Sequence, residues 1–392
     1  MPNTIYQKAV ELLHHAANPH GFLASVQPIT NYNRVWARDG VICGLAALTT
    51  KDPQLIDTFR QTLETLANYQ HETGTIPSNV AFGPDGVAQV SYGGLAGRVD
   101  AVTWFIIGVT QFTFVTGDRA FYQKMSPNVS SALTLLQNWE FNNRHLVYVP
   151  LSGNWADEYI TDGYVLYDQL LRLWALRGIQ FCAPTENNAN KIKAIEAQIL
   201  LNFTFNAAEE HYHERAYQEV TWFPYMPCSF SPAGYKNRFD AFANALALLL
   251  NLGSQEFQAA QLNYLIALAG EQPLGLVPAF WPPVFPDEGD WNLLKNNCKY
   301  EFRNYPYEFH NGGSWPMVNG FCGIALVMHG RIVEAKQLCE KLDDANAIKD
   351  FAFYENFNTQ TMTPNGIPQC TWSAAGTILL QSYLHSEKTL LF

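Results

Sequence analysis

About twelve stretches of helical apolar spacing follow one another along the chain, and they alternate between two kinds. The first kind is amphipathic, so that 56–63 and 332–338 each have one polar face, whereas the second, as in 40–48 and 241–249, is apolar nearly all round. A helix with one polar face lies at the surface, and one that is apolar all round is buried. The alternation predicts an all-α fold, an (α/α)6 barrel with an outer and an inner ring. The segments lie roughly at 4–17, 39–50, 54–70, 99–116, 119–140, 163–179, 189–203, 239–252, 255–268, 315–329, 331–343 and 370–385.

The connections between these segments alternate as well. Those that lead from an inner to an outer helix are short, such as 49–53 and 116–119, whereas those that lead from an outer to an inner helix are long. The long connections should therefore gather at one end of the barrel, where the inner helices begin. Long loops on a rigid scaffold are common places for functional residues. The long connections cover roughly 18–38, 71–98, 141–162, 204–238, 269–314 and 344–369.

No linker interrupts the pattern, so we expect one catalytic domain over residues 1–392. Strand signals are sparse, although 146–149 and the aromatic loops could form short ladders. A multi-helix protein without barrel closure stays open as an alternative. Solenoid repeats fit less well, because the segments share no consensus of fixed period.

Composition limits the partners that the protein can have. The formal net charge of −11 argues against a nucleic acid or an anionic membrane as partner. The seven cysteines are scattered and form no C-x-x-C pair, so neither a disulfide framework nor a zinc site is expected. The first residues lack a basic region followed by an apolar run, which makes the cytoplasm the default location. We expect no metal and no cofactor, and a homo-oligomer stays open.

Aromatic residues are abundant, with 10 Trp, 19 Tyr and 25 Phe. Many of them must lie in the core, but others stand beside Asn, Asp, Glu and Arg in the predicted loops. A sugar ring has apolar C–H faces and a rim of hydroxyl groups, so flat apolar walls with polar groups at their edges suit it. A small-molecule carbohydrate is therefore the expected partner.

Two polar clusters precede inner helices in the first third of the chain. The cluster 34–40 contains Trp36, Arg38 and Asp39, whose side chains could bind neighbouring sugar hydroxyls or instead provide a helix cap and a structural Arg. In the second cluster, Asp100 opens an apolar helix and Trp104 lies one turn further on the same side. An apolar setting keeps a carboxyl protonated, as an acid catalyst requires, although the helix N-terminus opposes that shift.

Further clusters precede the later inner helices. Trp155 and Asp157 lie in the segment 154–159, and Asp240 before the fourth inner helix is expected to be a cap or a structural ion-pair partner. Two more clusters lie in the last third of the chain. One contains His310, Asn311 and Trp315, where His310 and Asn311 either bind ligand hydroxyls or pin the loop, and the other contains Glu355 among aromatic residues before Trp372. The remaining side chains that we expect to contact the substrate are Trp104, Trp155, Asp157, Trp315 and Trp372.

These motifs, in this order from Arg34 to Trp372, resemble those of the neutral/alkaline invertases and their glycogen-debranching and glucosidase-like relatives among six-hairpin glycosidases. The resemblance implies an inverting mechanism with Asp100 as the general acid and Glu355 as the general base. It also implies that Trp36, Arg38 and Asp39 hold the sugar in the cleavage subsite. The invertase patterns Val-Asp-Ser-Gly and Glu-Tyr-Tyr-Asp read Val-Asp-Ala-Val and Glu-Asn-Phe-Asn here, and these departures weaken the case for sucrose.

The function that the resemblance implies is an exo-acting inverting glycoside hydrolase for sucrose or a short α-glucoside. One alternative is a sugar 2-epimerase of the same barrel shape, but such enzymes use paired histidines and only His310 lies in a strong cluster here. The other is a non-catalytic carbohydrate-binding protein, which would need the aromatic residues but no pair of carboxyl groups. The pairs His14-His15 and His211/His213 lack convincing carboxylate partners for a metal.

Overall fold

Helices dominate the computed structural model, which describes residues 4–28, 31–207, 210–385 and 389–392. All twelve predicted helices are present, and two short additional ones, α8 and α11, lie in long connections. The helices are α1 (Thr4–Ala16), α2 (Ala37–Thr50), α3 (Pro53–Asn68), α4 (Val99–Thr116), α5 (Arg119–Asn138), α6 (Leu166–Cys182), α7 (Glu186–Phe203), α8 (Glu214–Glu219), α9 (Ala241–Leu249), α10 (Gln255–Glu271), α11 (Trp291–Asn296), α12 (Pro316–Met328), α13 (Ile332–Phe351) and α14 (Thr371–Leu384).

The buried helices pack against one another in cyclic order. Contacts run from α2 to α4, α6, α9, α12 and α14, and α14 returns to α2. The amphipathic helices lie outside this ring, each against one or two members of it, as α3 does against α2 and α4. This arrangement is consistent with the predicted (α/α)6 barrel, and it follows from the sequence because only helices that are apolar all round can be enclosed on every side.

Helix α4 shows how far this enclosure goes. It is the one helix in the described ranges that is long and apolar enough to cross a membrane by length and composition. In the fold, 83% of it is buried. Its apolar surface is thus used for packing inside the ring of helices.

The two ends of the ring differ in how its helices begin. Four outer helices follow short turns and start with a side chain that caps backbone N–H groups, namely Asp52, Asp118, Thr185 and Ser254. The inner helices α2, α4, α6, α12 and α14 have no side-chain cap. Helix N-termini carry unpaired N–H groups and a partial positive charge. The end with the long loops therefore presents five helix starts that side chains leave uncapped.

Strands are more numerous than the sequence suggested, and nearly all lie in the long connections. A three-stranded antiparallel sheet has the order β3-β4-β5 and a four-stranded one the order β6-β7-β8-β9, while β1-β2 and β10-β11 form pairs. Only Val149 of the predicted 146–149 ladder forms a bridge, with Gly163. Most strands are too short to show a period-2 pattern. They are β1 (Ala17–Asn18), β2 (Gly21–Phe22), β3 (Val35–Trp36), β4 (Asn79–Phe82), β5 (Ala88–Ser91), β6 (Tyr164–Val165), β7 (Pro227–Ser231), β8 (Gly234–Asp240), β9 (Phe280–Trp281), β10 (Asn356–Phe357) and β11 (Pro364–Asn365).

Residues 389–392 lie at the opposite end of the ring, among the C-terminal halves of the inner helices. The carbonyl oxygen of Leu391 accepts hydrogen bonds from Gln111 Nε2 of α4 and Trp174 Nε1 of α6, both at 2.5 Å. The ring of Phe392 stacks on Trp174 with centroids 4.9 Å apart. These contacts tie two neighbouring inner helices together at the end away from the long loops.

The contact between α12 and α14 depends on two glycines. A Cβ at Gly320 would lie 2.5 Å from the carbonyl oxygen of Gly376, so only hydrogen fits there. We expect Gly320→Ala to lower the free energy of unfolding by about 2–3 kcal/mol, because the two backbones must move apart.

Gly270 of α10 is the matched control, since a Cβ there would meet nothing within 4 Å. Gly270→Ala should raise stability by about 0.5–1 kcal/mol, because alanine loses less backbone entropy in a helix. Urea unfolding followed by circular dichroism measures both effects. Equal stability of the two variants would contradict this account of the α12–α14 contact.

Candidate active site

The mouth of the ring, where the inner helices begin, holds most of the residues that the sequence singled out. Asp39 and Asp100 lie in the first turns of α2 and α4, and neither caps its helix. Asp240 does cap α9, because its Oδ1 accepts a hydrogen bond from Ala243 N at 3.0 Å. The ordinary role of an acidic residue at a helix start thus applies to Asp240 and not to Asp39 or Asp100.

Asp100 is buried, with one carboxylate oxygen held and the other free. Oδ2 accepts a hydrogen bond from Arg38 Nη1 at 2.9 Å and a longer one from Tyr167 Oη at 3.4 Å. Oδ1 has no hydrogen-bond partner among the described residues. Trp104 is fully buried and donates from Nε1 to Tyr167 Oη at 2.9 Å. The Trp104 indole therefore positions the Tyr167 hydroxyl, which in turn contacts Asp100 Oδ2.

Two further buried carboxyl groups, those of Asp39 and Asp168, lie near Asp100 and Arg38. Asp39 Oδ2 lies 3.9 Å from Arg38 Nε, and Asn154 Nδ2 donates to Asp168 Oδ2 at 2.9 Å. Burial raises the pKa of Asp39 to about 6 and that of Asp168 well above its ordinary value, and the nearby charge of Asp100 adds to both shifts. Both shifts favour the protonated form of these carboxyl groups.

Glu355 repeats the pattern seen at Asp100. Its Oε1 accepts a hydrogen bond from Tyr32 Oη at 2.7 Å, and Oε2 has no partner within the described parts of the chain. Burial raises its pKa to about 7, although the charge of Arg303 and the hydrogen bond from Tyr32 act in the opposite direction. A Cβ at Gly366 would clash with Oε2, so the glycine leaves this oxygen its space.

Four rings form an aromatic wall at the same end. His310 stacks on Trp315 with centroids 4.9 Å apart, and Trp155 meets both of them edge-on at 5.2 and 5.5 Å. Trp372 stands against Trp315 at 5.7 Å, and the Arg38 guanidinium lies over its ring at 5.3 Å. The sequence predicted all five side chains to be ligand contacts, and the fold brings them together.

The polar atoms of this wall have few partners inside the protein. Both ring nitrogens of His310 and the Nε1 atoms of Trp155 and Trp372 are buried without a hydrogen bond to any described residue. Burial lowers the pKa of His310 well below its ordinary value, so its ring is neutral, with one donor and one acceptor. Buried polar groups without partners are uncommon in folded proteins, and hydroxyl groups of a ligand would satisfy these.

The remaining predicted contacts lie outside this cluster or are occupied. Trp36 donates from Nε1 to Asn31 O at 2.8 Å, and Asp157 pairs with Arg98 at 2.6 Å in a partly exposed position. The amide of Asn311 is satisfied by backbone, since its Oδ1 accepts from Val284 N at 2.7 Å and its Nδ2 donates to Val284 O at 2.9 Å. Of the two roles considered for Asn311, the structure favours pinning the loop.

Several residues of the site were not found from the sequence. These residues lie around Asp100 and Glu355 or beside them in the chain, and they are Tyr32, Tyr167, Asp168, Arg303 and Asn356. Both amide atoms of Asn356 are buried without a partner in the described chain. A polar residue inside an apolar helix could have indicated Asp168. Tyr32 and Arg303 stand in aromatic, asparagine-rich segments that resemble many loops, so no signal distinguished them.

No group of three or more His, Cys, Asp or Glu side chains is placed to hold a metal ion in the residues that the structure describes. The carboxylates at the mouth have other neighbours. Asp100 faces a guanidinium and a tyrosine hydroxyl, and Glu355 faces a tyrosine hydroxyl. This set of side chains can form hydrogen bonds to a ligand and can exchange protons with it.

Comparisons with known proteins identify similar sequences among the invertases. A family profile described as alkaline and neutral invertase matches residues 201–387. The chain is 23% identical to "Probable alkaline/neutral invertase F" of Arabidopsis thaliana over 89% of its own length and 80% of the relative's. It is 22% identical to "Cytosolic invertase 1" of Oryza sativa subsp. japonica, over 93% and 74% of the two lengths.

Solved structures resemble the fold at still lower identity. The GH63 mannosylglycerate hydrolase from Thermus thermophilus, solved in complex with glucose, matches with a TM-score of 0.67 and 14% identity over 97% of this chain and 100% of that one. A rhamnosidase from Klebsiella oxytoca matches with a TM-score of 0.63 and 13% identity over 97% and 63%. Together the comparisons confirm the predicted resemblance to the invertases and the predicted enzyme class, glycoside hydrolase.

The raised pKa of Glu355 has a cost in stability that can be measured. The folded-state pKa of about 7 lies above the ordinary 4.5, so the protonated form is favoured by folding and stability is lost as pH rises through this interval. We expect Glu355→Gln, which resembles the protonated acid, to be more stable than the parent by roughly 2–3 kcal/mol at pH 8 and by little at pH 5.

Denaturant unfolding at the two pH values tests this expectation. Glu301→Gln is the matched control, because it makes the same charge change at an exposed position. A stability difference between Glu355→Gln and the parent that stays the same from pH 5 to pH 8 would show that burial of this carboxylate is not costly.

Proposed function

We propose that the protein is an exo-acting, inverting glycoside hydrolase that folds as an (α/α)6 barrel and forms one catalytic domain over residues 1–392. The observation that carries the proposal is the matched state of Asp100 and Glu355. Each is buried at the mouth, each has one oxygen held by a tyrosine hydroxyl, joined at Asp100 by Arg38, and each has a second oxygen without a partner among the described residues.

In this mechanism Asp100 is the general acid. Its Oδ1 meets the glycosidic oxygen and donates the proton that the leaving group needs as the C–O bond breaks. Arg38 and Tyr167 hold the other oxygen, which fixes the direction in which the proton is presented. Once the proton is transferred, Arg38 stabilises the carboxylate that remains.

Glu355 is the general base. Its ionised Oε2 takes a proton from a water molecule, which attacks the anomeric carbon from the face opposite the leaving group. Tyr32 holds Oε1, so that the free oxygen faces the water. The attack breaks the glycosidic bond with inversion. Asp100 is then ionised and Glu355 protonated, so Asp100 takes a proton from solvent and Glu355 loses one before the next turnover.

The aromatic wall suits a single sugar ring. We propose that Trp155, His310, Trp315 and Trp372 pack on its apolar faces and that Arg38 and Asp39 bind its hydroxyl groups. The likeness to invertases favours sucrose, and a short α-glucoside or a glycosylated glycerate, the latter suggested by the mannosylglycerate hydrolase, is the next choice. The net charge of −11 fits neither a nucleic acid nor an anionic membrane as partner, and the relative named as cytosolic supports a cytoplasmic location.

Hydrolysis of a panel of glycosides tests the reaction class and its stereochemistry. We expect one member among sucrose, short α-glucosides and glycosylated glycerates to be hydrolysed, with the first-formed sugar appearing as the inverted anomer in proton NMR. Retention of configuration would exclude the mechanism with two inverting carboxylates. Isomerised monosaccharide would indicate an epimerase, and binding without turnover would indicate a binding protein.

The roles of the two carboxylates are tested by isosteric replacement. Asp100→Asn and Glu355→Gln should each lower kcat by at least about a thousandfold while the fold is kept, because each removes one of the two proton transfers. Asp240→Asn is the matched control, since it changes a buried carboxylate at the same end of the ring and asparagine is equally good as an N-cap. Near-normal activity of Asp100→Asn or Glu355→Gln would remove that residue from the mechanism.

The pH dependence of kcat/KM should report the pKa of Glu355. A base must be ionised, so activity should fall about tenfold per pH unit below pH 7, the value to which burial raises this pKa. Tyr32→Phe removes a hydrogen bond that favours the ionised form and should move this limb to higher pH. Tyr300→Phe, at an exposed position, is the control, and an unmoved limb in Tyr32→Phe would contradict the assignment.

A further inference from the structure

A cavity lies outside the ring of inner helices, between the long connections of the mouth. Its volume is about 270 Å³, and its walls come from the connection before α6, from β7 and β8, and from the segment before α11. None of the residues proposed to act on the glycosidic bond lines it. The cavity therefore belongs to the same end of the molecule as the active site but to a different place.

A stack of three rings separates the cavity from the active site. Tyr159 lines the cavity and stacks on Phe280 with centroids 4.2 Å apart, and Phe280 stacks on Trp155 at 5.8 Å. Trp155 belongs to the aromatic wall of the active site. A ligand in the cavity would thus lie on the far side of this stack and could not reach Asp100 or Glu355.

One polar atom in the cavity wall lacks a partner. Tyr159 is completely buried, and its hydroxyl has no hydrogen bond to the described residues. Burial raises the pKa of Tyr159, so the hydroxyl keeps its proton and can both donate and accept. An unsatisfied buried hydroxyl destabilises a protein, and a ligand hydroxyl at this position would relieve that cost.

The charges at the cavity are already balanced by the protein. Lys236 pairs with Asp162 at 2.7 Å, and Arg238 pairs with Glu288 at 2.5 Å. Asp290 adds a further negative charge to the lining. An anion would meet no unneutralised cation here and would be repelled by Asp290, so an anionic ligand does not fit.

The walls also have an aromatic face. Phe223 and Tyr225 lie parallel, with centroids 5.3 Å apart and an interplanar angle of 3°, and Phe223 is 45% exposed. Flat rings beside hydroxyl and amide groups suit a molecule with one apolar face and a rim of hydroxyl groups. The volume is slightly below the roughly 300–1,000 Å³ of pockets for drug-sized ligands, which limits the occupant to about one sugar ring.

We propose that this cavity is a second binding site, for a neutral monosaccharide, that is separate from the active site. The sugar ring packs on the exposed face of Phe223, which Tyr225 supports from the other side, and one of its hydroxyl groups pairs with Tyr159 Oη. Binding at this site involves no hydrolysis, so the proposal does not depend on the reaction proposed at Asp100 and Glu355.

Equilibrium dialysis of the full chain with radiolabelled D-glucose and D-fructose, each in the millimolar range, tests the proposal. Tyr159→Phe should weaken one class of site by roughly three- to tenfold because it removes a single neutral hydrogen bond. Phe223→Ala should weaken the same class by roughly tenfold through loss of the stacking surface. Phe205→Ala, at a position that is 75% exposed and does not line the cavity, is the matched control and should bind as the parent does.

Trp372→Ala separates this site from the active site. Two classes of site, one sensitive to Tyr159→Phe and Phe223→Ala and the other to Trp372→Ala, support the proposal. A single class that only the two cavity variants weaken also supports it, even if the proposed hydrolysis fails. Binding that neither Tyr159→Phe nor Phe223→Ala changes, or no binding of either sugar, would overturn it; thermal unfolding confirms that each variant is folded.

Discussion

The contact between α14 and α2, which closes the ring of inner helices, is the one on which the active site depends. Ser382 Oγ lies 3.1 Å from Thr49 Oγ1 across this contact, and Thr371 Oγ1 donates to Leu23 O at 2.8 Å. The closure places the connection before α14 against the connection before α2. Tyr32 and Glu355, which are 323 residues apart, can therefore form a hydrogen bond. A chain of helices without this closure would leave the proposed base far from the proposed acid.

The same closure accounts for the electrostatics of the site. Carboxyl groups buried at the mouth have lost their water, and this desolvation raises the pKa values of Asp39 and Glu355 to about 6 and about 7. Active sites are common places for such shifts, because a group that transfers protons near neutral pH must have a pKa close to it. The fold is less stable for burying these groups, and the hydrophobic packing of the two helix layers offsets that loss.

Much of this structure could be predicted from the sequence, because helix periodicity is a local property that reports burial. The alternation of helix types gave the two layers, and a Glu among aromatic residues without a neighbouring cation indicated Glu355. Tyr32, Tyr167 and Arg303 could not be found in this way, since their roles depend on contacts between distant segments. Trp104 shows another limit: the sequence predicted a substrate contact one turn after Asp100, whereas in the fold the buried indole donates its hydrogen bond to Tyr167.

The contacts of residues 389–392 with α4 and α6 bear on how molecules reach the proposed site. Leu391 and Phe392 cover α4 and α6 at the end of the ring opposite the mouth. A substrate that enters the proposed site from the mouth would then also leave through the mouth. In a hydrolase of this shape the leaving group, which lies nearer the opening, departs first, and the sugar held deeper against the aromatic wall departs last. The deeper product would then compete directly with the next substrate, so the sugar that is released last should be the stronger product inhibitor.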